Sequence, residues 1–244
     1  MKILMKTDTG RLRDNNQDSM VALMLPDDAA FAAVCDGMGG ANGGNVASAL
    51  AVAAIEDKIR TEYRPEMDDD AVCELLATAV DIANETVYAK AQEDPELFGM
   101  GTTAVLALIR DNTAILANVG DSRGVLFSKD GAMQLTKDQS YVQVMIDHGS
   151  ITEEEALTHP RRNIITRAVG IMSSVLVDTF VYPIQEDDVI LLCSDGLTNE
   201  ISYDSILTMM EEPVWENLAE KLVAQANENG GRDNVTVVLI RNQA

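Results

Sequence analysis

Five aspartates stand beside turn residues at the borders of apolar runs. Asp36 lies in Val34-Cys35-Asp36-Gly37, Asp121 in Val119-Gly120-Asp121-Ser122, and Asp195 in Cys193-Ser194-Asp195-Gly196. Asp18, in Asn16-Gln17-Asp18-Ser19, and Asp233, in Gly231-Arg232-Asp233-Asn234, are their counterparts near the two ends. Any one alone reads as a turn aspartate. Gathered at one sheet edge they are something else, because two carboxylates ~5 Å apart repel by roughly 3 kcal/mol at an effective dielectric near 20. Cations must then sit among them. An oxygen-rich ligand set, with only His148 and His159 as histidines and no Cys-x-x-Cys, favours Mg²⁺ or Mn²⁺ over zinc or copper.

The runs that carry these aspartates read as strands: Met20–Leu25, Phe31–Cys35, Thr102–Ile109, Ala114–Val119, Gly124–Ser128, Val175–Tyr182, Val189–Cys193 and Val235–Ile240. Turn residues at Pro26-Asp27-Asp28, Arg110-Asp111-Asn112 and Lys129-Asp130-Gly131 make neighbours antiparallel. Val72, Leu75, Leu76, Ala79, Val80, Ala83 and Val87 fall on one helix face, and Asn45–Tyr63 is a second amphipathic helix. A third, about Trp215–Glu228, follows Pro213 and stops at Asn229-Gly230-Gly231. Between these elements, residues of about 136–170 change to short helices, with Thr152-x-x-Glu155 as a capping box and His159-Pro160 as a break. The expectation is one domain over 1–244, an α+β sandwich of α-β-β-α layers with two central antiparallel sheets and an inserted flap.

Of 244 residues, 18 are Lys or Arg and 40 are Asp or Glu, a net charge of −22. Such a surface repels nucleic acid and anionic membranes, so neither is expected as a partner, and any anionic substrate must find a local positive site. The amino-terminal residues carry no signal-like apolar run and no stretch reaches the ~20 residues of a membrane span, which predicts a cytoplasmic protein. Cys35, Cys73 and Cys193 are odd in number and widely spaced among apolar neighbours, as reduced core thiols are.

Two motifs are decoys. Gly120-Asp121-Ser122-Arg123-Gly124 has the G-x-S-x-G form of a nucleophile elbow, but that turn needs a following helix and Val125-Leu126-Phe127 reads as a strand. Gly37, Gly39, Gly40, Gly43 and Gly44 follow a strand and open a helix as a dinucleotide loop does, yet Asn42 breaks G-x-G-x-x-G.

In order along the chain, Arg13-x-x-Asn16-Gln17-Asp18, Asp36-Gly37-Met38-Gly39-Gly40, Gly101-Thr102-Thr103-Ala104, Gly120-Asp121-Ser122-Arg123, His159-Pro160-x-x-Asn163, Thr166-Arg167-Ala168-x-Gly170, Ser194-Asp195-Gly196-Leu197 and Gly231-Arg232-Asp233-Asn234-Val235-Thr236 resemble the metal-dependent serine/threonine protein phosphatases of the PPM, or type 2C, family in its compact bacterial form. The resemblance implies hydrolysis of phosphoserine and phosphothreonine in proteins by a metal-activated water, with no covalent phosphoenzyme. It implies that Asp36 bridges two Mn²⁺ or Mg²⁺ ions, the Gly37 carbonyl completes the first site, and Asp195 and Asp233 hold the second. Asp121 and Asp195 are the implied ligands of a third ion, Asp18 orients the attacking water, and Arg13 pairs with two phosphate oxygens. It also implies phosphoprotein substrates, an opposing serine/threonine kinase and a monomer.

This chain departs from the family at Met38, where some relatives carry a histidine proposed as general acid, and at Gln139, which stands where relatives often carry a histidine. His148 and His159 read as structural or surface residues. Two rival readings remain at this level: a phosphoprotein-binding module that keeps the fold without catalysis, and an acidic cation binder, the latter weakened by the lack of an EF-hand loop.

Overall fold

The computed structural model describes residues 1–211 and 215–243, with the side chains of 41 and 42 set aside. In chain order the elements are β1 (Lys2–Asp8), β2 (Asp18–Met24), β3 (Ala30–Met38), α1 (Gly40–Glu62), α2 (Asp69–Glu93), β4 (Gly101–Thr102), β5 (Ala104–Arg110), β6 (Thr113–Val119), β7 (Arg123–Ser128) and β8 (Gly131–Gln134). There follow α3 (Tyr141–Asp147), α4 (Glu153–Leu157), β9 (Asp178–Pro183), β10 (Val189–Cys193), α5 (Asp195–Thr198), α6 (Tyr203–Met210), α7 (Leu218–Asn229) and β11 (Val235–Arg241). Pro213, expected before the last long helix, lies outside the described residues; that helix is preceded by a 3₁₀ turn at Trp215–Asn217.

Two antiparallel sheets stack face to face. One has the order β1-β11-β10-β7-β8 and the other β2-β3-β5-β6-β9, with β4 pairing to β3. The central strands are apolar on both faces because both are covered. Along β3, Ala30, Ala32 and Val34 face the opposite sheet, whereas Phe31, Ala33 and Cys35 pack against α1 and α2. In the other sheet, Ile190, Leu192, Val238 and Ile240 face inward, while Leu191, Val237 and Leu239 pack with Leu222 and Val223 of α7. The expected α-β-β-α layering is therefore observed.

Alternation also aims the chemistry. Asp36 has the same parity as Ala32 and Val34, so its side chain is on the face between the sheets, at the end where they part. Across the ladder it sits opposite Asp18.

Several boundaries differ from the sequence expectation. Lys2–Asp8 is an edge strand along β11, although only partly buried. The run Thr102–Ile109 is interrupted at Thr103, which keeps its register opposite Asp36 but accepts from Asp36 N–H through Oγ1 rather than through its carbonyl. Asp178, not Val175, starts β9, and Gly131–Gln134 forms a further short strand. The first helix begins at Gly40, five residues before Asn45, because Gly39, at φ 128°, makes the sharp exit from β3. The expected capping box is observed, with Thr152 and Glu155 bonded reciprocally, and Asp68 caps α2 by accepting from Ala71 N–H.

Candidate metal centre

Arg13, Asp36, Gly37, Asp121, Asp195 and Asp233 meet around one cavity of about 430 Å³ at the end of the sandwich. Both sheets contribute. Asp36 comes from within β3, Asp121 from the turn after β6, Asp195 from the first residue of α5 beyond β10, and Asp233 from the loop leading into β11. Asp18 lies behind this group, 8% exposed, at the start of β2.

Local bonds fix each carboxylate. Asp18 Oδ2 accepts from Ser194 Oγ (2.8 Å) and Thr236 Oγ1 (2.6 Å), while its Oδ1 is buried without a protein partner. The backbone of Asp36 is clamped by Thr103, whose Oγ1 accepts from Asp36 N–H (2.9 Å) and whose own N–H donates to Asp36 O (2.8 Å). Asn199 Nδ2 donates to Asp195 Oδ2 at 3.0 Å. Gly37 admits no side chain, since a Cβ there would stand 2.0 Å from the carbonyl oxygen of Gly44. Asn234 staples the loop that carries Arg13: its Oδ1 accepts from Gln17 N–H (2.8 Å), and its Nδ2 donates to the carbonyls of Thr9 (2.8 Å) and Asn15 (2.9 Å).

The electrostatics are those of crowded, poorly compensated anions. Burial first, and then repulsion from Asp18, Asp195, Asp121 and Asp233, holds Asp36 well above the ordinary carboxylate range. Asp121 is pushed up to about 7 by burial and by the charges of Asp195 and Asp138. Asp18 is pushed up to about 6 by burial, even though the hydroxyls of Thr236 and Ser194 favour its charged form. Asp195 is raised as well, by burial and by Asp233. Among the described residues Arg13 is the cation that lines this cavity, half exposed, with its Nη2 bonded to Asp233 Oδ2 at 2.8 Å, while Arg123, paired with Asp138, offsets part of the charge of Asp121 and Asp195.

This donor set fits divalent cations. It is all oxygen, it is short of positive charge, and it includes a buried carboxylate oxygen with no partner. Among the described residues no three acidic, histidine or cysteine side chains close on a single point. Carboxylates spread around an open cavity match ions such as Mg²⁺, which keep several waters and take only one or two carboxylates each.

The remaining motif residues are accounted for. Ser122 is fully buried and bonds Thr103 Oγ1 at 2.7 Å, and a strand follows it, so the serine-elbow pattern is accidental. Gln139 bonds both ways with the backbone of Gly120, each at 2.9 Å, and donates to Asp178 Oδ2 at 2.7 Å, so it holds the turn that presents Asp121. His148 Nδ1 lies 2.7 Å from the carbonyl of Val144 at the end of α3, and His159 lies beside Tyr141. Ser194, Thr236, Thr103 and Asn234 fall inside the motifs, but nothing in the sequence assigns them a task. As polar residues in or beside apolar runs they stand out, and only the pairing of the strands shows what each of them faces.

Residues 11–229 match the profile of the protein phosphatase 2C family. The chain belongs to that family. A serine/threonine phosphatase stp of Listeria innocua is 38% identical over 236 residues, covering 96% of this chain and 93% of the relative. The crystal structure of the Mycobacterium tuberculosis serine/threonine phosphatase PstP/Ppp superposes with a TM-score of 0.90 at 36% identity, covering 100% of this chain and 99% of that one. A catalytic domain of PstP solved with two manganese ions gives a TM-score of 0.87 at 34% identity, covering 100% and 98%. This protein phosphatase 2C chain is thus a metal-dependent protein-serine/threonine phosphatase, as its motifs implied. No helix among its described residues is long and apolar enough to cross a membrane.

Proposed function

We propose that the aspartates and Arg13 divide the work of phosphoserine and phosphothreonine hydrolysis among them. Asp36 and the Gly37 carbonyl would hold one ion, Asp36 would be shared with a second held by Asp195 and Asp233, and Asp121 with Asp195 would take a third. Mn²⁺ or Mg²⁺ in these places supplies an activated water near neutral pH and offsets the charge of the phosphate. The observation that carries this assignment is the convergence of four carboxylates and one arginine on a single cavity, with three of those carboxylates raised by burial and by one another's charge.

Arg13 binds the phosphate. It exchanges the oxygen of Asp233 for two phosphate oxygens, which a planar guanidinium meets at once. Asp18, locked through Oδ2 by Ser194 and Thr236, turns Oδ1 to the attacking water and sets its direction. Met38 lines the cavity and cannot give a proton, so its side chain is not the acid for the leaving serine or threonine oxygen, whose proton would come from water.

A phosphatase of this class needs a counterpart that installs phosphate on serine and threonine, so we place it opposite a serine/threonine kinase. Phosphoprotein substrates, a cytoplasmic setting and a monomeric state belong to the same reading. So does a single catalytic unit over 1–244 with residues 136–170 as its flap. Its three free cysteines, Cys35, Cys73 and Cys193, suit a reducing compartment.

The test is phosphate release from a phosphothreonine peptide, first in EDTA and then with Mn²⁺ restored. Activity that disappears and returns is expected. Folded protein that stays silent across millimolar Mn²⁺ and Mg²⁺ would refute the reading and leave a non-catalytic phosphoprotein binder in its place.

A further inference from the structure

Beside the catalytic cavity lies a second opening of about 380 Å³ that no step above uses. Its walls are Met38, Ile165, Ala168, Ile171, Met172 and Leu176, and the charged residue at its rim, Arg167, is already paired with Asp178 at 2.9 Å. Met38 and Ile165 line both this groove and the catalytic cavity, so the two form one continuous trench. Large apolar side chains are left in water along it: Met172 is 66% exposed and Leu176 is 64% exposed. The backbone beneath them is nonetheless held, because the buried Asn84 of α2 accepts from Gly170 N–H (2.8 Å) and donates to the carbonyl of Met172 (3.1 Å). A firmly supported, uncharged surface adjoins a cavity that is otherwise lined by aspartates.

We propose that this groove receives an apolar side chain of the phosphoprotein substrate, one to three residues from the phosphorylated serine or threonine, and so selects an apolar flank on one side of the phosphosite. The inference rests on the phosphatase reading. Once Arg13 fixes the phosphate, an extended substrate that advances ~3.3 Å per residue must leave the cavity over its walls, and Met38 with Ile165 is the apolar one. Electrostatics offers little here, since the chain is strongly acidic and the groove has no unpaired charge to recruit a polar flank. Burying an aliphatic side chain against Ile171, Met172 and Leu176 is the favourable interaction available at this side. Met38 thereby acquires a role as the shared wall between phosphate site and flank site.

The experiment is a set of phosphothreonine peptides identical except for Leu or Ser at each position from −3 to +3, assayed with Mn²⁺-loaded protein beside p-nitrophenyl phosphate, which has no flank. Leu on one side of the phosphothreonine, and not on the other, should raise kcat/KM about fivefold or more, within what a modest apolar pocket contributes. In the doubly substituted Met172→Ser, Leu176→Ser protein that gain should fall below twofold, while hydrolysis of p-nitrophenyl phosphate stays within twofold of the unsubstituted protein. A flat scan, or a preference that survives both substitutions, overturns the proposal. Concentration-dependent self-association that the two substitutions abolish, together with a flat scan, would assign the groove to a second copy of this chain instead. Failure to hydrolyse p-nitrophenyl phosphate at all would sink the phosphatase reading and this one with it, and is distinguishable from a flat scan.

Discussion

Asp36 combines two liabilities that make sense only together: burial holds it well above the ordinary carboxylate range, and it feels the charge of every other aspartate of the cluster. Its replacement by asparagine should therefore act in opposite directions on activity and on metal-free stability. On the proposed assignment, Asp36→Asn, and likewise Asp233→Asn, should lower kcat/KM by about 10³-fold or more, because the ions that activate water would lose a ligand. In EDTA at pH 7.5, Asp36→Asn should melt about 2–4 °C higher, the response of a chain this size to ~1 kcal/mol of relieved repulsion. A lower melting temperature in EDTA would contradict the account of Asp36 as an uncompensated charge. Arg13 makes a separate prediction. Arg13→Ala should cut kcat/KM about 10–100-fold, and Arg13→Lys should recover only part, since an ammonium meets one phosphate oxygen where a guanidinium meets two. Full recovery by lysine would show that charge alone is used. The site aspartates were legible in the sequence as a set, whereas the donors Ser194 and Thr236 were not, because a hydroxyl inside an apolar strand gives no sign of what it faces until the strands are paired.

Elements were legible where one periodicity ran unbroken and illegible where the environment, rather than the pattern, decides. Strands β3, β6, β10 and β11 lie under cover on both faces and announce themselves as apolar runs. Lys2–Asp8 does not, because it is an edge strand with one partner whose short run Ile3-Leu4-Met5 is flanked by Lys2, Lys6 and Asp8 on partly exposed surface. The interruption at Thr103 was also hidden: threonine suits a strand, and only its pairing with Asp36 shows the hydroxyl standing in for the carbonyl as acceptor. Asn84 is a case of the same kind, a polar residue on the buried face of α2. Its two bonds hold residues 170–172 against the helix, so Asn84→Ala should leave the buried N–H of Gly170 unsatisfied and cost about 1–3 kcal/mol. A melting curve with Mn²⁺ present checks this, and a shift under 1 °C would mean the segment is held by other contacts.

At the scale of the molecule, charge sets the response to pH and metal. Asp18 and Asp121 have folded-state values of about 6 and about 7, above the ordinary aspartate value near 3.9. Between about pH 4 and pH 7 the metal-free folded chain therefore binds more protons than the unfolded chain, and its stability falls as pH rises through that window. The melting temperature in EDTA should rise on going from pH 7.5 to pH 5.5. Mn²⁺ should raise it more at pH 7.5 than at pH 5.5, because ions and protons compete for the same oxygens. Equal Mn²⁺ shifts at both values would refute that competition. The net charge of −22 also bears on substrates: at low salt, a phosphothreonine peptide with basic flanks should turn over faster than one with acidic flanks, and the gap should narrow as salt is added. Faster turnover of the acidic peptide would count against it.

The cavity is built from both sheets, so the force its aspartates exert on one another acts across the sandwich as well as within the leaf that carries Asp18, Asp36 and Asp121. Asp36 on one sheet is pushed by Asp195 and Asp233 at the strand ends of the other, and the aliphatic layer of Val34, Leu116, Ile190, Leu192, Val238 and Ile240 resists that push. The interior is in this sense a loaded joint, prised at one end by its own charges and gripped by packed hydrocarbon behind. An ion seated between the leaves, as proposed, would work as a rivet as well as a reagent, and how tightly it is held and how closely the sheets are pressed would become two readings of the same lever.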